Sequence, residues 1–394
     1  MVKRIDIFVP PFSQYGVLQA MTRDIYDALK RAGVNCRLLE AEKDNPKPFL
    51  EALFSDRPEC TLSLNGLLPD DQGHFFCDMI QIPHVACLVD SPNQFAALTQ
   101  SKLNVITCPD VYATHFFRGL NFQNVLFFPH GVSKNLVPEP NGDKKYDVVL
   151  LASCIDYETI REGWKKKYPK NLLNALEEAA EITLSDQTTP YVEAFVDALN
   201  NHVSKSDPLD PNKFHIMQIL DDLEMYIRGK DRVELLKGIK DARVDIFGSG
   251  KSNGGWEKYI GKSNPNIHLH DAVPFEEAIE VMKQSKIVLN SCPWIKNGGH
   301  ERIFAGIASG ALVITSDNPY MAEHFDDGES IVFYNHGRWD EMNDIVNDYL
   351  EDDSKRLRVV EQGIELVKDG HTWDHRVATL LAQLPELLAN VKKK

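Results

Sequence analysis

Asp90 closes the apolar run Val85 to Val89 and is followed by Ser91-Pro92, while His130 follows Phe127-Phe128-Pro129 and precedes Gly131. A carboxylate and an imidazole at the ends of strand-like runs are groups that can deprotonate an acceptor hydroxyl. The plainer readings are a helix cap for Asp90 and a linker-side position for His130. In the second half, Gly248-Ser249-Gly250-Lys251-Ser252-Asn253-Gly254-Gly255 follows the run Val244 to Phe247. Glycines let backbone approach an anion and Lys251 adds charge, so this stretch reads either as a phosphate cradle or as a glycine-rich turn. Its spacing is neither that of a Walker loop nor Gly-x-Gly-x-x-Gly.

A second loop, Cys292 to Arg302, contains Asn297-Gly298-Gly299-His300-Glu301-Arg302 ahead of a helical pattern over 303–309. Gly298 and Gly299 at a helix entrance predict an anion nest, and Arg302 could reach a diphosphate bidentately. An arginine in a first helical turn opposes the helix dipole, which favours a ligand role over a solvated surface position. A third loop, Thr315 to Tyr320, reads equally as ligand contact or as a turn and helix cap. His268 and His270 alternate on a strand-like run and read as exposed. No metalloprotease His-Glu-x-x-His occurs.

These loops need elements to hold them. Short apolar, β-branched runs alternate with helical patterns: Ile5 to Val9, Val34 to Leu39, Thr61 to Leu64, Val85 to Val89, Val105 to Thr107 and Val125 to Phe128. After the turn-rich, charged segment Pro138 to Lys145 they resume at Val148, Val244, Ile267, Ile287, Leu312 and Ile331. Such alternation predicts parallel sheets with helices on both faces, and ligands then collect at the carboxyl ends of the strands. The expected domains are 1–140, 141–370 with a helical insertion at about 152–240, and a closing helix at 371–394.

The chain has 394 residues, 43 Lys plus Arg against 58 Asp plus Glu, and a net charge of −15. Residues 1–140 hold 12 basic and 15 acidic residues and residues 141–394 hold 31 and 43, so neither half offers the basic patch that nucleic acid requires. Apolar runs are far shorter than a bilayer span and an acidic residue interrupts the start. A cytoplasmic protein without stable membrane insertion is expected. Seven scattered cysteines without a Cys-x-x-Cys pair read as buried, reduced thiols.

The stretch Ser285 to Asn290, then Gly299-His300-Glu301-Arg302-Ile303-Phe304, then Ala308-Ser309-Gly310-Ala311-Leu312-Val313-Ile314-Thr315 resembles the C-terminal half of GT-B glycosyltransferases. The closest similarity is to the CgeB-like, spore-maturation-type group of family 1. His371-Thr372-Trp373-Asp374-His375-Arg376 is similar to the ending of the same group. The resemblance implies an α/β protein of two Rossmann-like domains facing a cleft, with a nucleotide sugar, UDP-linked, on the second domain and a protein or glycan acceptor on the first. It implies a diphosphate near Gly248, Ser249, Gly250 and Lys251 and near Asn297 to Arg302, with Lys251 and Arg302 stabilising the leaving group, so that neither metal nor cofactor is needed. Counting along the pattern, the paired glutamates of related retaining enzymes fall at Asn297 and Ala305, neither of which is Glu, and Glu301 lies one turn earlier. A nucleotide-sugar epimerase and a non-catalytic binding or assembly protein on the same fold are the alternatives.

Overall fold

All twelve runs form strands, most of them because they place β-branched and aliphatic side chains where a parallel sheet is covered on both faces, while the edge strand Ile267–His270 is only half-buried. The computed structural model describes residues 2–42, 45–203, 208–248, 255–261 and 265–392. It divides into one unit of Met1–Leu136 with Lys368–Lys394 and a second of Val137–Val367.

In the first unit, β1 (Arg4–Phe8), β2 (Asn35–Leu39), β3 (Cys60–Leu64), β4 (His84–Cys87), β5 (Asn104–Cys108) and β6 (Val125–Phe127) pair in parallel in the order β2-β1-β3-β4-β5-β6. The helices are α1 (Val17–Arg31), α2 (Lys47–Ser55), α3 (Phe76–Ile80) and α4 (Val111–Gly119). The second unit holds α5 (Tyr157–Lys167), α6 (Lys170–Ser185), α7 (Tyr191–His202), α8 (Ile216–Gly238), α9 (Glu257–Ile260), α10 (Phe275–Lys283), α11 (Glu301–Ser309), α12 (Pro319–His324), α13 (Met342–Glu351) and α14 (Asp353–Gly370), whose last residues enter the first unit. Its sheet comprises β7 (Tyr146–Leu151), β8 (Val244–Phe247), β9 (Ile267–His270), β10 (Ser285–Leu289), β11 (Leu312–Ser316) and β12 (Val332–Tyr334), in the order β12-β11-β10-β7-β8-β9. Among the described residues no helix is long and apolar enough to cross a membrane.

The chain's last helix, α15 (Trp373–Lys392), belongs to the first unit. Val377, Leu380 and Leu384 bury against the core formed by Ile5, Ile7 and Leu62 of the strands and Ile25 and Leu29 of α1. Each fully buried aliphatic side chain stabilises by roughly 1.5–3 kcal/mol. Polar contacts set the helix's position: Arg31 grips Asp374 through two bonds of 2.7 Å, and Arg376 Nε donates to the His130 carbonyl at 2.9 Å. The segment 138–145 is part of the second unit. Lys144 Nζ donates to the carbonyls of Glu139, Lys283 and Gly310, and burial with Arg356 nearby pushes its ammonium down to about 8. Gly310 ends α11 at φ +88°, and a Cβ there would lie 2.6 Å from Pro140 N.

All seven cysteines are free and six are buried. His84 is also buried in the first sheet, between the hydroxyls of Thr61 (2.8 Å) and Ser63 (2.9 Å), and burial pushes its imidazole down to about 3. The unfolded chain protonates this histidine below about pH 6.5 while the folded one does not, so its stability contribution is full above pH 6.5 and declines toward pH 3. Urea midpoints should therefore fall between pH 6.5 and 4 in the wild type, and His84→Gln, weaker at pH 7, should lose less over that range. Equal losses in the two proteins would remove His84 as the source.

Candidate functional site

The second sheet has the strand order of a dinucleotide fold, with the order of strand addition reversing between β7 and its parallel neighbour β10, and a crevice opens beyond the carboxyl ends of strands at such a switch point. The residues that follow those two strands meet there. Asn290, one residue past β10, is buried, donates Nδ2 to Thr315 Oγ1 at 3.0 Å and presents Oδ1 to Arg302 Nη1 at 3.1 Å. Arg302 is therefore oriented in the first turn of α11 and is half-buried.

His300 precedes α11 and Glu301 opens it. His300 Nδ1 lies 2.7 Å from Glu301 Oε2 and 3.3 Å from the Arg302 backbone N–H. One ring nitrogen cannot donate to the carboxylate and accept from the amide at once, and the shorter, charge-assisted contact decides that Nδ1 carries the proton. Burial holds the His300 imidazole below its ordinary value in spite of Glu301.

Gly298 and Gly299 do not form the expected nest, since neither has the positive φ that a nest alternates with helical backbone. Gly299 has a packing reason instead: a Cβ would lie 2.4 Å from Phe304 Cζ. The Gly298 carbonyl accepts from Asn318 Nδ2 at 3.0 Å, and Asn318 Oδ1 caps α12 through Met321 N, so the third loop is a turn and cap. Asn297 is half-buried beside them. Gly248 follows β8 at φ +143°, where a Cβ would lie 2.3 Å from the Ala152 carbonyl oxygen just past β7. Ser249, Gly250 and Lys251 lie outside the described residues. His270 is not simply exposed, because its Nε2 pairs with buried Asp245 on the neighbouring strand at 2.6 Å.

Side chains that the sequence reading passed over complete the site. Lys296 is fully buried in the 291–300 loop and donates to the carbonyls of Thr183 (2.7 Å) and Asp186 (2.6 Å) at the carboxyl end of α6, where a cation is favoured. On α8, Asp231 is fully buried and accepts from Ser291 Oγ (2.6 Å), Trp339 Nε1 (3.0 Å), Tyr334 OH (3.2 Å) and His336 Nδ1 (3.3 Å). Its neighbour Arg232 donates Nη1 to the Ser153 carbonyl past β7 at 2.8 Å, and Arg228 pairs with buried Glu224 at 2.9 Å. Glu224, Arg228, Asp231 and Arg232 share one helical face at i, i+4, i+7 and i+8. Charges interrupting an otherwise apolar stripe were the available signal. Among the described residues no cluster of three or more His, Cys, Asp or Glu is placed to hold a metal ion.

In the first unit, Asp90 is half-buried past β4 and accepts from Asn65 Nδ2 at 2.8 Å, while Asn65 Oδ1 accepts from Val89 N at 3.0 Å. Asn65 sits at φ +58° directly after β3 and so orients the carboxylate. His130 is buried past β6. The two are carried on strands separated by β5, roughly 10 Å apart at ordinary strand spacing, so they are alternatives and not a hydrogen-bonded dyad.

Residues 230–382 match the family described as Glycosyl transferase-like. An uncharacterized protein of Aquifex aeolicus (strain VF5) is 20% identical over 370 residues, covering 86% of this chain and 89% of the relative. Among solved structures, AviGT4, a glycosyltransferase involved in avilamycin A biosynthesis, is 12% identical with a TM-score of 0.54 and coverage of 98% of both chains. Sucrose-phosphate synthase from Thermosynechococcus elongatus is 10% identical with a TM-score of 0.57 over 98% of this chain and 99% of the other. Anabaena HepE in complex with UDP-glucose is 9% identical with a TM-score of 0.53 over 98% and 100%. These likenesses show the fold, two Rossmann-like domains of the GT-B type.

Proposed function

We propose that this protein is a glycosyltransferase, moving a hexose from a nucleotide-diphosphate sugar, UDP-linked, to a protein or glycan acceptor. The observation that carries the reading is Arg302, held by Asn290 at the β7/β10 switch point within the segment that matches the Glycosyl transferase-like family. The UDP-glucose complex of the similarly folded HepE supports the choice of donor.

In the transfer, the acceptor oxygen bonds to the anomeric carbon, the bond from that carbon to the diphosphate oxygen breaks, and the nucleoside diphosphate departs with the electron pair. Arg302 and Lys251 stabilise the charge that develops on the leaving diphosphate, which lowers the barrier where it counts. His300 and Glu301 contact the donor, with Asn297, Gly298, Gly299 and the segment Gly248 to Gly250 shaping its seat. For an inverting transfer, Asp90 or His130 takes the acceptor proton.

Incubation with UDP-sugars and GDP-sugars, with and without a panel of glycans and proteins, tests this reading. UDP release that rises at least tenfold with one acceptor is expected. Interconversion of the sugar without any acceptor would make the protein an epimerase, and binding without release would make it a carrier or assembly protein.

A further inference from the structure

The helical insertion could be decoration, yet α8 sends a second guanidinium to the same strand ends. Arg232 is 7% exposed and makes its one described bond, from Nη1, to the Ser153 carbonyl, while its Nε has no hydrogen-bond partner. It is also crowded by like charge. Burial, then Arg228 and then Arg302, push its guanidinium down to about 9, far from the ordinary arginine range.

Asp231, the adjacent carboxylate that acts on it, is occupied by four donors of its own. A buried cation with an unmade bond and two cationic neighbours is costly to fold around, and an anion with several oxygens relieves all three at once.

We infer that Arg232 of the insertion is a diphosphate-binding residue that closes on the ligand from the β7 side while Arg302 holds it from the β10 side. Glycine at 248 lets the end of β8 lie against Ala152 and Ser153, which keeps the Arg232 anchor close to the strand ends. The insertion is then part of the donor site, and its packing is tightened by the ligand. This inference rests on the reading of the second unit as the donor side.

Inorganic pyrophosphate is the direct probe, titrated calorimetrically and by thermal shift against the full chain, Arg232→Met, Arg232→Lys and Arg302→Ala. Pyrophosphate should raise the wild-type melting temperature and bind at least tenfold more weakly to Arg232→Met, with Arg232→Lys between them. Without ligand, Arg232→Met should melt at or above the wild-type temperature, because a buried repulsion is gone. A merely structural arginine would instead lower it. Wild-type affinity in Arg232→Met alongside lost affinity in Arg302→Ala would overturn the role of Arg232 and leave the donor reading standing. If neither pyrophosphate nor UDP binds the wild type, both readings fall.

Discussion

Replacing Arg302 by alanine should weaken UDP binding about 10- to 100-fold and lower turnover by about 10²–10³. The first figure corresponds to the roughly 1.5–3 kcal/mol of a charge-assisted hydrogen bond, and the second to a preorganised donor aimed at charge that grows in the transition state. The arginine is preorganised because Asn290, itself held by Thr315, fixes its fork before any ligand arrives. Arg302→Lys should recover part of the affinity through its charge and little of the turnover, since a lysine cannot span two oxygens. Calorimetric titration of UDP together with steady-state transfer rates reads both effects. Unchanged UDP affinity in Arg302→Ala would take Arg302 out of the donor site.

Asp231→Ala should cost about 3–5 kcal/mol of stability, the usual penalty for stripping one partner from a buried charged network. Ser291, Tyr334, His336 and Trp339 would each keep a donor directed at nothing. Ser291 lies past β10, Tyr334 closes β12 and His336 and Trp339 follow it, so the carboxylate is what ties the middle of α8 to those strand ends. Asp231→Asn keeps the shape and should cost less. Urea unfolding at pH 7 measures the difference, and a loss below about 1 kcal/mol would show that the network is dispensable.

The same network fixes a pH response. Burial pushes the Asp231 carboxyl up, but the bonds from His336, Ser291 and Trp339 outweigh it and hold the group below its ordinary value. Its contribution is therefore complete above about pH 4 and lost as pH falls toward the lowered folded value. Burial and the nearby Lys296 hold His336 below its ordinary value too, so the folded chain takes up this proton less readily than the unfolded chain, which protonates below about pH 6.5. Loss of stability begins there, well before the carboxylate titrates.

The strands were legible from sequence throughout, since runs such as Val244 to Phe247 leave a parallel sheet little alternative. Arg302 stood out by position, opposing a helix dipole. The charged face of α8 did not, because Glu224, Asp231 and Arg232 look solvated until it is known which side of the helix is covered. Lys296 was hidden for a different reason: the carbonyls it serves, Thr183 and Asp186, are more than a hundred residues away in sequence. Gly299 invited an anion-binding interpretation, yet its lack of a side chain is explained by the Phe304 ring.

The first unit is assembled from both ends of the chain, with α15 completing the core around Ile5 and Leu62. During synthesis, the contiguous second unit can finish folding while the first sheet waits, its apolar face uncovered until residues 373–391 emerge from the ribosome. Apolar surface left exposed over that interval is where the nascent protein is open to aggregation.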